Sequence, residues 1–572
     1  MANRYWVNTA GGSWNATPAS NWSTTSGGAG GSAAPTAADD VYIDANSGTA
    51  TITIPSATTV VCRSLNFVDG TGGAYTGTFA LAASTSVITI GDGTAGAGNN
   101  ALKLSSGMTW TNTGIGTINF VSTSATQQTI TTNGKQICAV TINGAGSSYK
   151  LGDALTMQNV TGNETLTVSN GTFDTGNFNM NIGIFTSAGS NNRTLTFGSS
   201  AVTMNRNGTT MTIVTTNLTI TANTSTWTNN NSPTFAMGGA NMNGASLTIN
   251  GGGTVTHNGG ATWANVTRTG TASKTDVFNV GTSLTCTGTF TCSGNSTTSR
   301  ILLASGTPGT STTITAATVT VSNIDIMDIT GAGAGSWNLA SITGNSGDCG
   351  GNSGITFTTP AAQTFDSTAG NWSTAARWTS RVPLPQDDVT INSSSGNVTL
   401  DMPRCGKNTT FSGYTGTATW TTSIGQTFYG SLTMGSGMTN SFGNTVNYVL
   451  AGRGTHTFDS AGKNFSGVNM STTFTAPGGS YTLASAYTTG HSITVSAGTF
   501  DTADYTITCS SVNITGAITR TVNLGSSAIN LTVTTNTCWT VSGSNYTVNT
   551  GTSVLTITNV GTGSRTFGGG NV

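Results

Sequence analysis

The segment TVSNGTFDTGNFNMN begins at Thr167, and TVSAGTFDTADYTIT begins at Thr494. A second pair, NRTLTFGSSAVTM from Asn192 and TRTVNLGSSAINL from Thr519, stands at the same separation of 327 positions. Two gapless matches at one offset mark a duplicated structural unit rather than shared compositional bias, which directs the reading toward repeat architectures.

A second duplication frames the first. GSWNATPASNWS from Gly12 and GNWSTAARW from Gly370 each lead, through a proline, to Asp-Asp-Val-x-Ile. The pairs are Trp14 with Trp372, Trp22 with Trp378, Pro35 with Pro385, and Asp39-Asp40 with Asp387-Asp388; the first copy carries an SGGAGGSAA insertion. The expected organisation is a Trp-rich cap over 1–55, a first module over 56–360, a second cap over 361–400 and a second module over 401–572. The closing SRTFGGGNV repeats the start of a coil and stops, so the second module is expected to be truncated.

The local pattern is β throughout. TATITI, TSVITI, LTITAN, VTVSNIDI and VLTITNV alternate with period two and are bounded by Asn, Gly and Ser. Leu, Glu and Lys are too scarce for an amphipathic helix. Charged residues make up 6% of the chain, against roughly 25% in an ordinary soluble domain. The net charge of −1 and the abundance of β-branched residues argue for order rather than disorder. Two all-β architectures fit: a parallel, right-handed β-solenoid in two related modules, or tandem antiparallel β-sandwiches. The solenoid is favoured. Its thin core needs only two or three small apolar residues per strand, and stacked Asn, Thr and Ser form ladders at about 4.8 Å. Aromatics cluster where end caps are required.

The same composition excludes several functions. No apolar run is long enough to span a membrane, no basic stripe suits nucleic acid, and no signal-peptide h-region is seen. Cys62, Cys138, Cys286, Cys292, Cys349, Cys405, Cys509 and Cys538 contain no C-x-x-C pair. A Cys286–Cys292 disulfide is open, with small buried thiols favoured. His257, His456 and His491 lack zinc spacing, so neither a metal nor another cofactor is expected.

The two Asp pairs could bind a cation or share a proton; the favoured reading makes them turn acids that open a strand in each module. Asp325 and Asp328 are the acids considered for a polysaccharide depolymerase, but on a regular strand they point to opposite faces. Glu164 is the chain's one glutamate. GAGAG at 331–335 has no lysine and no helix after it, so it is not a phosphate loop. Trp14, Trp22, Trp372 and Trp378 suit either sugar stacking or a core plug, the plug being favoured.

The W…NWS…P…DDV.I opening, followed by strands such as TLTVSNGTFDTGNFNMNIG, resembles Gly/Thr/Asn-rich β-helical surface proteins of bacteriophage appendages and of bacterial adhesin passengers. The resemblance implies a non-enzymatic, rod-like fibre, spike or capsid-surface appendage of a virion that mediates attachment. It would be a homo-oligomer, with a trimer as the guess, in contact with other virion proteins and with host or environmental glycans. A secreted adhesin or sheath subunit at the bacterial surface is the first alternative, and a tailspike depolymerase the second.

Overall fold

The computed structural model describes residues 2–14, 19–114, 116–158, 164–422, 424–442, 445–466, 469–532, 537–558 and 566–568. Strand takes 51% and helix 2%, the helical turns being short pieces such as Ala45–Ser47 and Ala375–Arg377. The fold is all-β. Most pairings are parallel; antiparallel ones among the described residues include Asn3–Trp6 with Trp22–Ser23, and the single bridges Asp44–Ala74 and Phe365–Trp378. A sandwich joined by hairpins would show the reverse, so this is a β-solenoid. Of the closing SRTFGGGNV, only Thr566–Gly568 lies within the described residues.

Two compact units form: Met1–Thr269 with Gly281–Thr291 and Thr315–Val319, and Gly270–Val280 with Cys292–Ile314 and Thr320–Val572. In the first, each coil lays down three strands on three faces. Thr165–Asp174 covers two faces and Met180–Ile182 the third. The next coil repeats the order with Ile184–Ser187, Arg193–Thr196 and Ala201–Met204. The bend within Thr165–Asp174 falls at Gly171, where φ is +81°, and a Cβ there would lie 2.3 Å from Ser147 Oγ and 2.6 Å from the Gly144 carbonyl oxygen. Gly498, its counterpart, has φ +80° and the same kind of crowding from the Ala476 carbonyl. Glycine is required by both the dihedral and the close approach.

Period two in the strand becomes ladders in the stack. Ile88, Ile118, Val140, Leu166, Phe185, Met211, Phe235 and His257 pair in turn along one inward row, and all are buried. Each covers the apolar edge of its neighbour, at roughly 25 cal/mol per Å² removed from water. On an outward row, Thr156, Asn181, Thr203, Thr228, Thr248 and Thr267 follow one another.

The second unit holds two stacks. One comprises Val277–Val280, Ile301–Ser305, Ile324–Met327 and Ser346–Asp348. The other runs from Gln363–Thr364 onward around a core that includes Trp372, Trp420, Phe458, Phe474 and Ile514. It too carries an outward row, Thr455, Ser480, Thr499, Thr521 and Thr547.

The 327-residue duplication holds at the level of single hydrogen bonds. Thr175 Oγ1 donates to the Phe197 carbonyl and accepts from Ser200 Oγ. Thr502 does the same with Leu524 and Ser527. Arg193 and Arg520 are both buried, and both guanidiniums donate to backbone carbonyls at a corner.

Candidate functional site

Each opening segment is organised by its first aspartate. Asp39 Oδ2 accepts from the backbone N–H of Thr36 at 2.9 Å, and Oδ1 from that of Ala2 at 3.2 Å. Asp387 accepts in the same way from Leu384 at 2.9 Å and from Ala361 at 2.8 Å. Thr36 and Leu384 are thus equivalent, and Pro35 corresponds to Pro383 rather than to Pro385. Burial works against ionisation of Asp39, but hydrogen bonds from Thr36 and the charge of Arg4 hold its carboxyl below the ordinary value.

The second aspartates diverge. Asp40 is buried and takes Arg63 through Nε at 3.0 Å and through Nη2, with Ser64 Oγ at 2.6 Å. Asp388 is exposed and, among the described residues, accepts only from the backbone and side chain of Asn408.

All four tryptophans are buried. Trp22 meets Trp14 edge-on at 4.9 Å and Trp6 at 5.2 Å. Trp378 meets Trp372 at 4.7 Å and Phe365 at 5.1 Å. Each set packs around an antiparallel bridge.

Asp325 and Asp328 lie in a seam inside the second unit. Asp325 is 0% exposed and held by two arginines, Arg300 Nε at 2.8 Å and Arg404 Nε. Arg404 Nη2 also donates to the Arg300 carbonyl at 2.8 Å. Asp328 turns the chain at φ +57°; its Oδ2 accepts from Arg453 at 2.6 Å and from the Gly309 N–H at 2.8 Å. Asp325 sits within the strand Ile324–Met327 and is covered by the two arginines, while the left-handed turn just after the strand places Asp328 against Arg453. Lys274 closes the seam on Asp401 at 2.6 Å. Gln386 bridges the Ser346 and Thr358 carbonyls, both at 2.9 Å.

Beside the seam is a cavity of about 350 Å³ lined by residues that include Asp348, Cys349, Lys407, Tyr429, Arg453 and His456. Burial pushes the Cys349 thiol and the Tyr429 phenol far up, so neither is an anion at neutral pH. Burial, then the charge of Lys407, pushes His456 down. Its Nε2 accepts from the Gly454 N–H at 3.2 Å, so it is a neutral acceptor. Among the described residues no hydrogen bond joins His456 to Cys349, and the pair is not an activated nucleophile.

The remaining candidates are placed apart. Glu164 is buried at a corner of the first unit, and its carbonyl accepts from Gly183 and Ile184. His257 lies on the inward row described above, beside Phe235. All eight cysteines are buried. Among the described residues, no cluster of three or more His, Cys, Asp or Glu could hold a metal, and no helix is long and apolar enough to cross a membrane. Sequence reasoning missed the arginines of the seam, whose only legible signal was the unexplained pair Asp325 and Asp328. Comparison with protein-family models, with curated proteins and with solved structures gave no match.

Proposed function

We propose that this chain is a non-enzymatic structural protein of a bacteriophage virion. It would serve as a fibre, spike or capsid-surface appendage that attaches the particle to host or environmental glycans, working as a homo-oligomer. The observation that carries this reading is where the chemistry goes. Along the outward rows Thr, Ser and Asn stand in register, while four buried acids, Asp40, Asp325, Asp328 and Asp387, are held by arginines, and the buried Asp39 and Asp44 by N–H and hydroxyl donors. Such a chain gains stability from each neighbouring coil and presents a nearly uncharged hydroxyl and amide surface. The phage assignment itself leans on the resemblance of the opening skeleton. A depolymerase finds no support at Asp325 and Asp328, which offer no accessible carboxylate.

The test is electron microscopy with an antibody raised against the full chain. Label on the surface of virions is the expected result. Label on secreted filaments or on the bacterial envelope would replace the virion reading with the adhesin or sheath one. Release of reducing ends from host polysaccharide by the purified protein would overturn the non-enzymatic part.

A further inference from the structure

The duplicated corner occurs twice, and its two copies have different surroundings. In the second unit, Pro477, Gly478, Ile518 and Thr519 form one side of a groove of about 510 Å³. The other side is polypeptide: Gly309, Ser311, Asp328 and Gly351, with Arg453 reaching over from the coil next to Pro477. Gly309 is pressed so close that a Cβ on it would lie 2.4 Å from Pro477 Cβ. This copy of the corner is used to seat a neighbouring stretch of the same chain, and Arg453 clamps it on Asp328 at 2.6 Å.

In the first unit the register places Ala145 where the second has Pro477, Gly146 for Gly478, Asn191 for Ile518 and Asn192 for Thr519. Asn170 stands for the buried Ala497. This groove, about 440 Å³, is lined by Asn170, Asn191, Asn192 and Asn217 with Ser, Thr, Gly and Ala, and by no ionisable side chain. Among the described residues, every one that lines it comes from the coils that form the corner.

Two of the amides are fixed. Asn191 Nδ2 donates to the Ser169 carbonyl at 3.1 Å, and Asn217 Nδ2 to the Ser190 carbonyl at 2.8 Å. Each keeps its carbonyl oxygen as an oriented acceptor. Among the described residues, Asn170 and Asn192 make no side-chain hydrogen bond, so each still has both a donor and an acceptor to offer. Gly146, with φ +73° and no atom within 4 Å of where a Cβ would stand, leaves the backbone uncovered at the rim of the groove.

We infer that this groove of the first unit is a binding site for an uncharged glycan segment. A sugar hydroxyl is donor and acceptor at once, and fixed amide oxygens beside free amide groups complement it. A carboxylated or sulfated sugar would bring a charge that no group in the groove offsets. The corner of the second unit cannot serve in the same way, since Ile518 and Ala497 replace two amides and its own chain covers it. The inference rests on the glycan-attachment reading and names the place and the ligand class.

The test uses the full chain on immobilised dextran, mannan and galactan, with polygalacturonate as the charged comparison. The expected result is binding to at least one neutral polymer. The Asn170→Ala/Asn192→Ala double variant then binds at least tenfold more weakly, while Thr519→Ala at the equivalent corner binds as the parent does. Thr172→Val keeps the strand and removes one hydroxyl of the groove; it gives a second, smaller loss should the double variant fold poorly. Neutral binding untouched by the groove variants would overturn the site and leave the attachment reading standing. Binding to polygalacturonate alone would overturn the ligand class. Failure of the parent to bind any of the polymers, together with failure to bind its host surface, would remove both.

Discussion

The two opening segments share a backbone plan and differ in where they keep their arginine. In both, the first aspartate caps the turn after a proline and ties down the strand that precedes the tryptophans. In both, a tyrosine closes the first coil: Tyr75 Oη donates to the Ala50 or Thr78 carbonyl, and Tyr414 Oη to that of Gly396 or Thr417. Yet in the first copy the ion pair is on the second aspartate, Asp40 with Arg63, whereas in the second it is on the first, Asp387 with Arg381. Lys407 occupies the position of Arg63, its N–H bonding the Asp387 carbonyl as that of Arg63 bonds Asp39. Hydrogen bonds that satisfy the main chain have been kept through the duplication, and ion pairs have not. That is the order expected if unsatisfied backbone groups cost folding free energy wherever they are buried, while a charge pair is one of several ways to neutralise an acid.

The sharpest way to break this comparison is Asp40→Ala. Arg63 would stay buried without its carboxylate, and a loss of about 3–5 kcal/mol is expected, read as a lower urea midpoint. A loss below about 1 kcal/mol, the range of an exposed pair, would mean that Arg63 escapes to water and that the two openings differ only in appearance.

His257 ties the stability of the first unit to pH. Complete burial pushes His257 from 6.5 to about 4, with Trp263 Nε1 donating to its Nε2 at 3.3 Å. Above pH 6.5 both folded and unfolded chains are neutral there and nothing is lost. As pH falls, the unfolded chain takes up the proton first, so stability drains down to about pH 4, by about 3 kcal/mol in all. Urea midpoints measured from pH 7 to 4 should fall less steeply in His257→Phe than in the parent; equal slopes would refute the assignment.

Asp387→Ala comes next. It strands the N–H groups of Ala361 and Leu384, while Arg381 can reach water, so about 2–3 kcal/mol is expected. Tyr75→Phe and Tyr414→Phe should each cost about 1 kcal/mol, and should cost the same. A difference of more than about 1 kcal/mol between them would show that the shared plan does not extend to energetics.

The architecture was legible because repetition and period two are written locally. Coils pair with their neighbours roughly 20–30 residues on in any such stack, and the 327-residue offset survives as matched bonds from Thr175 and Thr502. The site was less legible. Arg404 reaches Asp325 across 79 positions and Arg453 reaches Asp328 across 125, distances over which no spacing rule operates. Asp325 and Asp328 read as opposed because the strand was carried on to Asp328, whereas it ends at Met327 and Asp328 is left-handed. The proline pairing slipped by two because Pro383-Leu384-Pro385 offers two prolines; only the N–H that reaches Asp387 tells which one opens the turn.

The smallest effect is the most discriminating. Asp388 aligns with Asp40, yet it is exposed and holds Asn408, with no ion pair among the described residues. Asp388→Ala should therefore shift stability by no more than about 0.5 kcal/mol. The paired variant Lys407→Arg places a guanidinium where Arg63 stands in the first copy. If position alone made the ion pair, this change would rebuild it, and Asp388→Ala in that background would cost several times more than in the parent. We expect no such coupling. Asp40 is enclosed by Ser64 and by the Ala97 N–H as well as by Arg63, and that enclosure, not the aligned basic residue, keeps water from its charge. A double-mutant cycle on Asp388 and Lys407→Arg with a coupling above about 1 kcal/mol would reverse the conclusion and make the arginine the cause of the burial.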